Sequence, residues 1–253
     1  MKITFLGTGT SQGIPIIGSK HEVCLSTDLN DKRLRSSILL EWEDATYVID
    51  CGPDFRQQLL RAEVDKLDGI LFTHYHADHT AGLDDVRPFS QRKGYVEFYC
   101  DQGVSENLKE RFDYIFATEN RYAGAPKVLL NLIDSQGFEL KNKFIQPIEV
   151  MHGNLKIFGF RIEQFAYITD AKTVSEKEKE KLKNLDILVV NALRKEPHPT
   201  HFNLEDALNF INDLTPKKAY LTHISNRLGF HQVISKELPD NVFLAHDGLI
   251  IDC

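Results

Sequence analysis

The stretch Thr73-His74-Tyr75-His76-Ala77-Asp78-His79 constrains this chain more than any other. It follows Gly69-Ile70-Leu71-Phe72, a short β-branched and aromatic run that reads as a buried strand, and precedes Ala81-Gly82-Leu83, which can open a helix. Three imidazoles and a carboxylate cannot share one face of a strand or helix at this spacing, so a tight loop at the strand end must gather them. Such a density of imidazole and carboxylate suits zinc, manganese or iron. The bland alternative is a solvated loop rich in histidine by chance, and the buried strand directly before HxHxDH weighs against it.

At 253 residues the chain is ordinary for a single sandwich of two sheets, and one domain over 1–253 is expected. Hydrophobic residues at 42% and charged residues at 26% fit a soluble globular protein. No apolar run approaches the roughly 20 residues that span a bilayer. The start Met1-Lys2-Ile3-Thr4-Phe5-Leu6 runs into a strand rather than a signal peptide, so a cytoplasmic protein without a membrane partner is expected. Cys24, Cys51, Cys100 and Cys253 form no CxxC pair and read as reduced thiols. The net charge of -7 argues against a surface built for a long polyanion, which disfavours nucleic acid as a partner, although a local basic patch stays compatible with it.

Alternating or buried apolar runs predict strands over 2–6, 37–42, 46–50, 96–100, 128–133, 144–150, 155–162, 165–168, 186–190 and 219–221. Helical spacing predicts helices over 55–64, 104–116 and 174–185, and an amphipathic one carrying Ala207, Leu208, Phe210, Ile211 and Leu214. Asp54 suits the N-cap of the first. Gly7-Thr8-Gly9-Thr10-Ser11-Gln12-Gly13-Ile14-Pro15 is a glycine-rich turn after a strand, without the Lys-Ser/Thr ending of a P-loop. Arg87 could meet a phosphate, but an ion pair with Asp84 or Asp85 is the expectation.

HxHxDH in this setting resembles the metallo-β-lactamase superfamily, whose α/β fold, an αββα four-layer sandwich, holds one or two metals between two β-sheets. The resemblance implies that His74 and His76 bind a first metal and that Asp78 and His79 bind a second. It implies His152, at a strand end before Gly153, as the third ligand of the first metal. Asp170, in Tyr167-Ile168-Thr169-Asp170, would bridge both, and His223, in Leu221-Thr222-His223-Ile224-Ser225, would complete the second. Taken singly, His152 reads as a turn histidine and Asp170 as a helix cap; their joint occurrence in family order favours the metal. Asp50 matches the acidic residue that the family sets behind the histidine loop, where a carboxylate fixes ring orientation.

Across nearly its whole length the chain most resembles phosphodiesterases that open 5-phosphoribosyl 1,2-cyclic phosphate, with tRNA 3′-processing endonucleases as more distant relatives. In those branches a GTGxxxGxP loop lies near the metal pocket, and a metal-free histidine, here His201, protonates the departing oxygen. The competing reading packs His201 at the start of a helix. His198, between Pro197 and Pro199, reads as a surface or substrate-contact residue. Related sequences also carry a GCxCxxC structural zinc site. Here Ser19 and His21 replace cysteines and Asn226 replaces the histidine, so an ordinary surface loop is expected, with a remodelled site on His21, Cys24 and His231 as the lesser reading.

The resemblance therefore implies a dinuclear hydrolase loaded with two divalent ions, Zn2+ or Mn2+. A hydroxide shared by them would attack a small cyclic phosphate or nucleotide-like diester, with Asp78 and His201 as the catalytic residues. The alternatives are a tRNA 3′-processing endoribonuclease and a thioester or lactone hydrolase on the same centre. A homodimer would follow the family's habit.

Overall fold

The structure, a computed structural model, describes residues 1–253. Period-two alternation divides the strand residues between two faces, and each face finds its own partner layer. In chain order the strands are β1 (Lys2–Gly7), β2 (Ser37–Trp42), β3 (Ala45–Ile49), β4 (Gly69–Leu71), β5 (Val96–Cys100) and β6 (Val128–Leu132). There follow β7 (Phe138–Leu140), β8 (Lys143–His152), β9 (Leu155–Ile162), β10 (Phe165–Ile168) and β11 (Thr173–Val174). The last are β12 (Ile187–Asn191), β13 (Lys218–Thr222), β14 (Val242–Leu244) and β15 (Ile250–Asp252). The α-helices are α1 (Glu22–Leu25), α2 (Phe55–Arg61), α3 (Ala77–Thr80), α4 (Arg87–Lys93), α5 (Gln102–Arg111), α6 (Asp113–Phe116), α7 (Glu176–Glu180), α8 (Leu204–Leu214) and α9 (His231–Ile234). One sheet has the order β15-β1-β2-β3-β4-β5-β6; the other runs β11-β8-β9-β10-β12-β13-β14, with β7 also paired to β8. Each is antiparallel over β1-β2-β3 and β8-β9-β10; short turns join β2 to β3, β8 to β9 and β9 to β10, and a long excursion joins β1 to β2. Both sheets turn parallel where helices cross over, in β3-β4-β5-β6 and β10-β12-β13-β14.

Ile3, Phe5, Ile38, Leu40 and Ile49 of the first sheet meet Phe158, Phe160, Phe165, Tyr167 and Val189 of the second in a core between the sheets. The alternate residues Leu39, Val48 and Ile70 face outward, under α2 (Phe55–Arg61), α4 (Arg87–Lys93) and α5 (Gln102–Arg111), with Phe55, Phe89 and Leu108 among the contacts. On the far side Ala166, Ile168, Leu188 and Val190 pack beneath Phe210, Ile211 and Leu214 of α8 (Leu204–Leu214). The result is the expected αββα sandwich, with three apolar cores where two sheets alone would have one. No helix is long and apolar enough to cross a membrane.

Three local expectations differ. Asp54 precedes α2 but makes no cap bond. Its carboxylate instead accepts from the Arg35 amide and guanidinium, a distant partner that outbids the local one. The charged segment 174–185 supplies only the short helix α7 (Glu176–Glu180), which Ser175 caps. Glu178 is not a solvated residue there: it is buried and accepts from the Glu149 amide and Lys181. Arg87 pairs with Asp84 as expected.

Candidate metal centre

The ligand candidates come from segments that follow strand ends, and His198 and His201 from the loop between β12 and α8. β4 delivers the histidine loop, and a short helix, α3 (Ala77–Thr80), begins inside it, earlier than the sequence suggests. His76 therefore projects from extended backbone just before the helix, whereas Asp78 and His79 project from its first turn. Two glycines permit this packing: a Cβ on Gly52 would stand 2.0 Å from the Asp78 carbonyl oxygen, and one on Gly82 would stand 2.2 Å from the Gly52 oxygen. β8 ends at His152, β10 leads to Asp170, and β13 leads to His223. Asp50, Asp170 and His223 have φ of 63°, 56° and 55°, left-handed backbone that turns each side chain sharply off its strand.

Ligating atoms of Asp78, His79, Asp170 and His223 all lie within 4.8 Å of one another. His74 and His76 stand beside them, His74 Nε2 lying 3.0 Å from His76 Nδ1. The His152 ring centroid is 5.2 Å from that of His76 and 5.7 Å from that of His74. Asp170 faces both groups: Oδ2 is 2.7 Å from His79 Nε2 and 3.5 Å from His74 Nε2, while Oδ1 is 2.8 Å from His223 Nε2 and 3.1 Å from His201 Nε2. The seven expected ligands and His201 are thus brought to one cleft.

Protonation and orientation suit a cation. Asp50 is fully buried; its carboxylate takes the His79 Nδ1 hydrogen at 2.7 Å, the Thr73 amide at 2.8 Å and the Thr73 hydroxyl at 2.7 Å. Since Thr73 Oγ1 donates to Asp50, it accepts from His74 Nδ1, 3.0 Å away. His152 Nδ1 lies 2.9 Å from the Asp170 and Thr200 carbonyl oxygens, which only accept. In His74, His79 and His152, then, Nδ1 carries the hydrogen and Nε2 turns to the cleft. His79 Nε2 is buried with no partner in hydrogen-bond geometry, an orphan that a cation would satisfy.

Burial drives the His74 imidazole well below its ordinary pKa, so it is a neutral donor. Burial works to raise the Asp78 and Asp170 carboxyls, but the surrounding histidines outweigh it and hold both below the usual carboxylate range. Burial lowers the His76 imidazole as well; at His79 burial works the same way, but the Asp78, Asp170 and Asp50 carboxylates outweigh it and raise that imidazole well above its ordinary value, so positive charge is favoured there. Neutral His74 and His76 beside the ionised Asp78 and Asp170 carboxylates form a set that divalent cations fit.

Several contributors escape sequence reading. Thr10, in the glycine-rich loop, lies 3.0 Å from His223 Nε2, and that loop pairs with the segment after β13 through Thr10 N to Ile224 O. Asn191 clamps the turn after Asp170, exchanging bonds with the Ala171 amide and carbonyl. The bond between His198 and His201 is also hidden from the sequence: His198 Nδ1 is 3.1 Å from His201 Nδ1. The only available signal for Thr73, and for Thr169, whose Oγ1 lies 3.4 Å from His223 Nδ1, is that each immediately precedes a ligand candidate. The remodelled structural site does not assemble. His21 Nδ1 accepts from the Val23 amide, Cys24 packs with Ile14 and Val23, and His231 Nδ1 lies 3.1 Å from Arg33 Nη2. A buried guanidinium and a small apolar cluster pin this excursion instead.

A family model described as a beta-lactamase superfamily domain matches residues 45–224. The octanoyltransferase of Porphyromonas gingivalis is 37% identical over 257 residues, covering 100% of this chain and 52% of that protein. Ribonuclease Z of Bacillus licheniformis is 29% identical over 169 residues, 65% of this chain and 49% of its own. The chain thus spans about half the length of these curated relatives. Among solved structures, one titled as a new diphosphatase from the PhnP family is 38% identical with a TM-score of 0.93, covering 100% of this chain and 97% of that one. The short form of human tRNase Z is 21% identical with a TM-score of 0.72, covering 100% and 99%, a likeness of fold alone.

Proposed function

The chain belongs to the beta-lactamase superfamily, and from that premise we propose that it is a metal-dependent phosphodiesterase acting on a small cyclic phosphate or nucleotide-like ester. The observation that carries this reading is the position of His201, which stands 3.1 Å from the outer oxygen of Asp170 and is additional to the seven residues assigned to metal. A proton donor at the rim of a cation site serves a leaving alkoxide; acyl transfer from a thioester would give it little to do. The 38% identity over the whole chain to a PhnP-family diphosphatase supports the same choice.

In this reading His74, His76 and His152 would hold one ion and Asp78, His79 and His223 the other, with Asp170 available to both. Two divalent cations, Zn2+ or Mn2+, would supply positive charge to polarise a phosphoryl oxygen and acidify a water. The chain's own residues do the rest. Asp50 and Thr73 keep His79 and His74 turned inward, the Asp170 and Thr200 carbonyls do so for His152, and His201 delivers its Nε2 hydrogen to the departing oxygen. Residues 1–253 act as one domain, since ligands come from both sheets.

Two other readings enter the same test. Ribonuclease Z relatives bring precursor tRNA into view. The octanoyltransferase name belongs to a protein about twice as long; here the thiol beside Asp50, Cys51, is fully buried, and burial drives its pKa up, the reverse of a nucleophile. Zinc- or manganese-loaded protein is assayed on cyclic phosphoribose, bis(p-nitrophenyl) phosphate, precursor tRNA and an acyl thioester. Turnover of the cyclic diester is expected, and turnover of the thioester alone would sink the reaction class. His201→Ala is expected to slow an alkyl diester about a hundredfold and the nitrophenyl ester far less, because nitrophenolate leaves without a proton; equal losses would remove His201 from that role. Asp170→Ala is expected to lower bound metal per chain, and unchanged stoichiometry would refute the bridge.

A further inference from the structure

We propose that His198 is a positioning residue: its Nδ1 accepts the Nδ1 hydrogen of His201 and thereby turns the Nε2 edge of His201 into the cleft. This rests on the reading of His201 as proton donor and assigns the group that aims it.

The direction of the bond follows from its neighbours. The Thr200 amide lies 3.3 Å from His198 Nδ1, and an amide N–H can only donate, so that nitrogen presents a lone pair. His201 Nδ1, 3.1 Å away, is then the donor of the pair. The Thr200 hydroxyl, 2.9 Å from His201 Nδ1, shares the same hydrogen as a second acceptor, its own hydrogen turned away from the single lone pair of His198 Nδ1, 3.2 Å off. Burial, with His201 next, pushes the His198 imidazole down to about 4, which keeps it an acceptor at neutral pH. On the opposite edge His201 Nε2 faces Asp170 Oδ1 at 3.1 Å.

A ring flip of His201 would turn carbon atoms to both partners and lose both bonds. Stacking blocks the remaining freedom: the His201 ring lies 5.0 Å from His223 at 20° and 4.6 Å from His152 at 75°. His198 itself is held on a stiff strap. Prolines at 197 and 199 fix the backbone on either side, and the Thr200 carbonyl is tied to His152 Nδ1 at 2.9 Å. One side chain thus links the proposed donor to the loop that braces a proposed ligand.

The test compares His198→Leu with His198→Asn in the full, metal-loaded chain. Asparagine can present Oδ1 where the imidazole presents Nδ1, and leucine cannot. His198→Leu is expected to lower kcat on an alkyl phosphodiester by about tenfold or more, to cost bis(p-nitrophenyl) phosphate less than about twofold, and to leave KM and metal content as they were. His198→Asn should recover most of the loss. Equal losses on both esters, no loss on either, or identical behaviour of the two variants would overturn the proposal. A second measurement needs no turnover: 15N–1H correlation of the imidazole rings in metal-free protein should give a slowly exchanging His201 Nδ1–H that disappears in His198→Leu. Its absence from the wild type counts against the bond. Should His201→Ala itself affect both esters alike, the donor reading fails; should it discriminate between them while His198→Leu does not, only the present inference fails.

Discussion

Asp50 bears on two histidines at once, directly on His79 and through the Thr73 hydroxyl on His74. Asp50→Asn keeps the volume but removes the charge that holds both Nδ1 hydrogens, and is expected to weaken metal binding by roughly 10- to 100-fold. Thr73→Val breaks only the link to His74 and should cost less. Competition against a chromogenic chelator measures both, and wild-type affinity in Asp50→Asn would mean that the carboxylate merely fills space. At this scale the sequence is legible where chemistry is concentrated. HxHxDH, YITD and LTHIS mark themselves by residue type, and the structure draws them to one cleft. Thr73 and Asn191 are illegible for the opposite reason: each is an ordinary residue whose weight comes from contact with a segment distant in the chain, Asp50 and Ala171. His198 stands out by type, but its bond to His201 does not.

The elements were readable where a period extends over several residues. β5, β9 and β10 have the predicted bounds because alternation between two buried faces fixes both ends. The helix inside the histidine loop and the short α7 carry no such signal; packing against Cys51–Gly52 and against β8 decides them. α8 follows His201 closely in the chain, and its start is closed by a reciprocal pair: Asn203 accepts from the Asp206 amide at 2.8 Å while Asp206 accepts from the Asn203 amide. Asn203→Ala is expected to destabilise the protein by about 1 kcal/mol, a fall in Tm of about 2–4 °C for a chain of this size. Calorimetry of the metal-free protein checks it, and an unchanged Tm would mean that the box carries no weight. At Gly52 the expectation is different. Gly52→Ala must push the Asp78 backbone away, so metal affinity should fall in a chain that still folds, read by chelator competition alongside circular dichroism.

Over the whole molecule, charge and cations set the response to solution conditions. Burial, and then Arg33, push the His231 imidazole from 6.5 down to about 4. Because the folded value lies below the unfolded one, the unfolded chain binds the proton first. The contribution of His231 is therefore complete above about pH 6.5 and is lost as the pH falls towards 4. His231 is partly exposed, so screening limits the effect to about 1 kcal/mol. His231→Gln should flatten the stability profile between pH 6.5 and 4.5 relative to wild type, and parallel profiles would contradict this. Stripping metal from the loaded protein is expected to lower Tm, with about 4 kcal/mol at stake when free ion exceeds its Kd a thousandfold; a Tm indifferent to chelation would speak against a tightly held ion.

The gathering of side chains from both halves of the chain also governs biosynthesis. His74, His76, Asp78 and His79 leave the ribosome first, but Asp170 and His223 join them only after β12 and β13 have paired. A nascent chain cut short before β13 owns the earlier imidazoles without the pocket that would close on an ion. If these side chains hold an ion as proposed, its uptake becomes a timestamp, recording that translation has passed His223 and that the second sheet has closed.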